Sequence, residues 1–238
     1  MAKAFASILT ASVTALSLIL GACQSPDAAH GPADYDYASP VPESEAMDDT
    51  WFDDSCVIGH SLMEGFEGFS KVKSNIHYFT STGLSAAGTL SYKKFDLPDG
   101  GTGTLETGLG QKQFSKVYIM LGVNEISTSS SSYKENMGKI IDAVRTIQGE
   151  DIPIYLMNIT PTTRNKSSSG PFNKENVTRL NAALLEVAQD KACYYLDLYA
   201  CFADSEGYLP SEKSTDGVHI TAKQYQVMAD YIKSHTVQ

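Results

Sequence analysis

Lys116-Val117-Tyr118-Ile119-Met120-Leu121-Gly122-Val123-Asn124-Glu125 is the stretch on which the reading of this 238-residue chain turns. An almost unbroken apolar run is followed at once by a glycine and two polar groups. Such a run reads as a strand buried on both faces, the kind found in parallel sheets covered by helices. Upstream, residues 56–58 form a first strand ending at Gly59, and residues 61–69 can begin a helix. Residues 76–80 form a second, weaker strand that leads into Thr82-Gly83. Downstream, residues 133–147 carry Met137, Ile140, Ile141, Val144 and Ile147 at helical spacing. Residues 152–157 read as a strand, 160–170 as a loop, 173–189 as a helix and 194–198 as the last strand. A helix over 220–232 closes the chain. This alternation predicts one doubly wound α/β domain with a mainly parallel sheet and helices on both faces.

Ligands bind such sheets outside the carboxyl ends of the strands, so the residues that follow each strand carry the functional reading. After the first strand come Gly59-His60-Ser61-Leu62. A serine in a sharp strand-to-helix turn offers both its hydroxyl and its own N–H at a helix N-terminus, which suits a nucleophile. Serine is also favoured there simply as an N-cap. After the central strand, Asn124 is an uncharged amide donor fit to stabilise an oxyanion, although asparagine also forms turns. Asp216-Gly217-Val218-His219 stands just before the closing helix. There the carboxylate can bond one ring nitrogen of the histidine and leave the other as a base. His30 and His235 lie toward the chain ends, His77 in a strand, and His60 beside Ser61, where neighbours in a turn diverge. His219 is therefore the candidate base.

In order and placement these blocks resemble those of the SGNH or GDSL hydrolase family, over residues 51–232. The blocks are Ile58-Gly59-His60-Ser61-Leu62, Thr82-Gly83-Leu84, Gly122-Val123-Asn124-Glu125 and Asp216 to His219. The resemblance implies a single flavodoxin-like domain with a five-stranded sheet and a serine esterase or acyl hydrolase activity. It implies Ser61 as nucleophile, His219 as base and Asp216 as its orienting carboxylate. Ser61 N–H, Gly83 N–H and the Asn124 amide would form the oxyanion hole, with no metal or other cofactor required. His60 and Glu125 depart from the pattern, each standing where the family often has Asp.

The start of the chain bears on compartment. Residues 5–20 form an apolar run behind Lys3, short for a membrane span and right for the core of a signal peptide. The run ends in Leu20-Gly21-Ala22-Cys23, which resembles the lipobox of bacterial lipoproteins. The resemblance implies a signal over residues 1–22, lipid on Cys23 and an extracytoplasmic protein anchored to a bacterial membrane by acyl chains. Residues 24–49 hold seven acidic residues, four prolines and no Lys or Arg. They read as an acidic, disordered tether (residues 23–49, counting the anchor cysteine), with the hydrolase domain over residues 50–238.

The formal charge of −10 disfavours nucleic acid as a partner. A hydrophobic fraction of 42% is enough for one folded domain. The three cysteines beyond Cys23, an odd number, read as small buried hydrophobes rather than a disulfide framework. The expected substrate is a small-molecule or polysaccharide ester, for example O-acetyl groups on extracytoplasmic carbohydrate, with lipid esters as the rival. The Ser/Thr-rich stretches over 127–132 and 160–169 read first as plain solvated loops and second as rims of the site, with Arg164 as a candidate anion contact. An acyltransferase, or a surface lipoprotein that binds without turnover, would fit the same fold.

Overall fold

A computed structural model describes residues 35–237. In chain order its elements are β1 (Cys56–Gly59), α1 (Ser61–Phe69), β2 (His77–Thr80), α2 (Ala86–Thr89), β3 (Phe95–Asp96), β4 (Thr102–Gly103), α3 (Leu105–Leu109), β5 (Val117–Met120), α4 (Ser130–Gln148), β6 (Ile154–Met157), α5 (Arg164–Ser167), α6 (Lys174–Asp190), β7 (Tyr194–Leu196), α7 (Leu198–Phe202) and α8 (Ala222–Lys233). Five strands form a sheet in the order β2-β1-β5-β6-β7, every pairing parallel, as the α/β reading expects. β3 and β4 make a small antiparallel ribbon apart from it.

The order reverses at β1: the chain moves outward to β2 and then returns across β1 to β5. Side chains alternate along each strand, so each face of the sheet receives one matched row. Ile58, Ile119, Leu156 and Tyr195 lie in register and join the cluster that includes Met137, Ile140, Ile141 and Val144 of α4 and Leu180 and Leu184 of α6. Val57, Tyr118, Tyr155 and Tyr194 face the other way, under Leu62 and Phe66 of α1 and Met228 and Ile232 of α8. The elements after β1 and β5 thus leave on opposite faces, which opens a crevice between the carboxyl ends of those two strands.

The tyrosine row also explains a difference from the sequence reading. Tyr118 and Tyr155 have ring centroids 5.1 Å apart, Tyr155 and Tyr194 4.9 Å, and Tyr35 and Tyr37 extend the row against Tyr194 at 5.0 and 5.6 Å. Beyond them Pro40 forms a parallel bridge to Tyr195, and Val41 N–H donates to the Tyr195 carbonyl at 2.9 Å. Val41 is only 2% exposed. Ser44 and Met47 N–H then donate to the carbonyls of Ser234 and Lys233.

Residues 35–49 are therefore docked on the domain, and the expected disordered tether up to residue 49 is corrected for these described residues. Charge and proline content describe a segment's average, whereas docking here needs only two tyrosines, a valine and an unpaired sheet edge. An open edge strand leaves donors and acceptors unmet, and proline is tolerated beside it. Residues 1–34, with the expected signal and Cys23, lie outside the described residues, as does residue 238.

Smaller differences follow from caps. The last strand stops at Leu196 because the Asp197 side chain accepts Ala200 N–H and opens α7. Within the expected loop over 160–170, Thr163 caps the short helix α5. Cys56 and Cys193 are buried and Cys201 half-buried, all three as free thiols.

Candidate active site

β1 ends in a glycine because nothing larger fits: a Cβ on Gly59 would stand 2.4 Å from Met63 Cγ. The next residue, His60, is the N-cap of α1, and its Nδ1 accepts Leu62 N–H at 3.3 Å. This is the service a carboxylate commonly gives at that position, so the first departure from the family pattern has a local explanation. His60 is fully buried, and desolvation, aided by nearby His219, pushes its pKa down to about 3. It stays neutral in ordinary buffers and carries its proton on Nε2, which has no hydrogen-bond partner. Ser61 follows as the first residue of α1, where no carbonyl one turn earlier exists to accept its N–H.

Ser61 Oγ lies 2.8 Å from His219 Nε2, and His219 Nδ1 lies 2.7 Å from Asp216 Oδ2. The three sequence-predicted residues therefore form one continuous chain of hydrogen bonds, although 158 positions separate Ser61 from His219. The turn that holds the pair is braced from within. Asp216 Oδ1 accepts both Val218 N–H and His219 N–H, and Ser214 Oγ donates to the His219 carbonyl while accepting Gly217 N–H. Burial by itself would raise the Asp216 carboxyl. The His219 and Val218 N–H groups and the His219 ring outweigh it and hold the pKa at about 2. Gly217 has φ of +94°, and a Cβ there would meet Lys166 Cβ at 2.7 Å, so this loop packs closely on α5. Thr163 N–H donates to the Gly217 carbonyl at 2.9 Å, which ties the loop after β6 to the histidine turn.

The other two predicted residues meet in a second brace. Gly83, in the turn after β2, has φ of +81° with nothing within 4 Å of where a Cβ would stand. Its backbone is bare to an incoming group. Asn124 Nδ2 donates to the Leu84 carbonyl at 2.9 Å, and Glu125 Oε1 accepts Ala86 N–H at 2.8 Å. The loop after β5 thus grips the Gly83 loop at two points, and one amide proton of Asn124 remains for a ligand. The second departure also has a reason here, because the longer Glu125 side chain reaches the N-terminus of α2. Its Oε2 is buried without a partner, and desolvation raises the carboxyl to about 6.

Three further contributors have no signature in the residue pattern that assigns them to the site. Glu64, three residues after Ser61 on α1, accepts Thr82 N–H at 3.0 Å and the Thr82 hydroxyl at 2.5 Å, and so fixes the Gly83 loop from the other side. Its position one turn beyond the serine was the only signal. Ser214 and Thr163 act through backbone contacts that no residue pattern announces. Arg164 is engaged elsewhere: it pairs with Glu206 and lies over the Tyr208 ring at 4.4 Å, so the suggested anion contact is corrected to a structural one. His77, read as core or edge, is half-buried, with its Nε2 2.9 Å from the Asp96 carbonyl.

A hydroxyl, an imidazole and a carboxylate in this order can move a proton from the hydroxyl while the carboxylate fixes the ring tautomer. The fold that carries this arrangement is shared with solved structures. A Streptococcus pneumonia structure whose name refers to platelet activating factor superposes with a TM-score of 0.64 at 21% identity, covering 76% of this chain and 82% of that one. An acetyl-xylooligosaccharide esterase of Geobacillus Stearmophilus, in mutant form, gives 0.55 at 11% identity over 81% and 94% of the two chains. The psychrotrophic esterase EstA of Pseudoalteromonas sp. gives 0.51 at 12% over 77% and 96%. At such identities these likenesses speak for the fold alone. No curated protein matches the chain. Residues 57–227 match the GDSL-like Lipase/Acylhydrolase family, a span that contains every block named above, and the chain belongs to that family.

Proposed function

We propose that the protein is a serine ester hydrolase that removes small acyl groups, acetyl above all, from extracytoplasmic carbohydrate. The observation that carries this reading is the unbroken Ser61–His219–Asp216 contact at 2.8 and 2.7 Å beside the reversal point of the sheet. His219 Nε2 takes the Ser61 proton as Oγ bonds to the ester carbonyl carbon, and the carbonyl electrons move onto its oxygen. Ser61 N–H, Gly83 N–H and the remaining Asn124 amide proton receive that charge. Collapse breaks the bond to the alcohol, which leaves with the proton held by His219. Water then gives a proton to His219, attacks the acyl carbon and releases the acid, restoring Ser61. Asp216 keeps the Nδ1 proton in place throughout and stays ionised. The carbohydrate part of the proposal draws on the expected export signal over residues 1–22 and on the sugar esterase among the fold relatives.

Replacing Ser61 by Ala should lower kcat on p-nitrophenyl acetate about 10⁴-fold or more and abolish labelling by a fluorophosphonate, since a lost nucleophile is not replaced by its partners. Labelling at another serine of the folded protein would sink the assignment. The proposal includes lipid on Cys23 as the membrane anchor. Cys23→Ala should move the protein from the membrane to the soluble fraction, and retention in the membrane would mean that residues 5–20 remain as an uncleaved anchor.

A further inference from the structure

The turn after β2 borders an open pocket of about 300 Å³ whose wall includes Gly83. Its polar lining consists of the hydroxyls of Ser81, Thr82, Ser85, Ser91 and Tyr92, with no carboxylate, amine or guanidinium. The hydrogen bonds already made decide what each hydroxyl has left to offer. Ser81 donates to Tyr92 Oη at 2.9 Å, Thr82 to Glu64, and Ser91 to the Gly88 carbonyl at 3.0 Å. Each has spent its one proton, so all three present lone pairs. Tyr92 accepts from Ser81, and Ser85 accepts Gly88 N–H at 3.2 Å, which leaves both free to donate. The wall therefore offers three acceptors and two donors, all neutral, next to the Gly83 N–H.

An alkyl chain lying in the pocket would displace water from these groups and pair with none of them, and an anion would find no positive charge. A polyol both donates and accepts at every hydroxyl, and a pocket of this volume holds a single sugar ring. We propose that this pocket is the subsite for the alcohol portion of the ester, a neutral glycosyl residue whose acyl carbonyl reaches the Gly83 N–H. The inference rests on the hydrolase reading above and extends it by naming the binding partner of this one pocket. It chooses carbohydrate over lipid from the lining alone.

The test measures binding without turnover. Ligand-observed NMR on Ser61→Ala compares 6-O-acetylglucose with hexyl acetate, two neutral acetates that differ in their hydroxyls. The sugar ester should bind at least tenfold more tightly. Adding Tyr92→Phe, which keeps the ring packed 4.7 Å from Phe95, should weaken the sugar ester about fivefold. Adding Ser91→Phe, which fills the pocket, should abolish its binding. Equal or tighter binding of hexyl acetate, or sugar binding that survives Ser91→Phe, would overturn the subsite. In otherwise wild-type protein Tyr92→Phe should also lower the ratio of kcat/KM for 6-O-acetylglucose over p-nitrophenyl acetate by about the same factor. A wild type that hydrolyses neither ester while Ser61→Ala still prefers the sugar would refute the hydrolase reading and leave the subsite standing.

Discussion

The turn after β1 and the turn after β5 stand side by side at the reversal of the sheet, and each replaces an expected Asp, yet they are held in different ways. In the first, His60 caps its own helix by accepting Leu62 N–H, so the support comes from within four residues. In the second, Asn124 and Glu125 reach across to Leu84 and Ala86, and the turn is stable only together with the Gly83 loop. A self-capped turn places Ser61 mainly through its own helix, whereas a cross-braced turn sets the Asn124 amide and the Gly83 loop relative to each other, as the proposed oxyanion hole requires. The buried ionisable group in each turn also has its pKa moved by desolvation, His60 downward and Glu125 upward.

The largest expected effect tests the self-capped turn. Folded His60 refuses a proton until about pH 3, while the unfolded chain accepts one near pH 6.5. Stability should therefore fall as pH drops through that window, by roughly 3 kcal/mol between pH 7 and 4. His60→Asn keeps a capping acceptor and removes the titration. Urea unfolding at the two pH values should show the variant losing that much less than the wild type. Parallel profiles would mean that His60 is not excluded from protonation and that the turn is held otherwise.

Next comes the cross-brace as an oxyanion donor. Asn124→Ala should lower kcat about 100-fold with little change in KM, because the amide acts mainly in the transition state. Unfolding of the variant is measured alongside to separate the lost donor from a loosened Leu84. A variant with wild-type kcat would reduce Asn124 to a brace alone.

The smallest effect has the opposite pH sign. Glu125, raised to about 6, binds its proton more tightly when folded, so its ionisation should cost stability as pH rises from about 4.5 to 6. The cost is on the order of 2 kcal/mol. Because His60 acts with the opposite sign over the same interval, the readout is a difference: in urea unfolding the wild type should lose that much stability relative to Glu125→Gln as pH rises. Parallel profiles would mean that the buried Oε2 is solvated in solution and that the contrast between the two turns is weaker than the contacts suggest.

Much of this was legible in the residues. Short apolar runs marked the strands, helical spacing marked α4 and α6, and the order of the Ser, Asn and Asp-x-x-His blocks pointed to the site. Those signals are local, and a parallel sheet turns them into a site by a general rule about strand ends. Less legible was whatever depends on the far side of a contact. Residues 35–49 look like a solvated spacer by composition, but Tyr35, Tyr37 and Val41 dock because β7 leaves an edge open and Tyr194 leaves a ring face uncovered.

The α/β class, the candidate nucleophile, base and carboxylate, and the two departures at His60 and Glu125 are written in the order of residues. What those departures do, which loop Glu64 and Glu125 secure, and which hydroxyls around Gly83 keep a proton to donate come from packing. A backbone period or a cap is set over a few neighbouring residues. The partner of a buried carboxylate or hydroxyl is fixed only when elements distant in the chain are packed together.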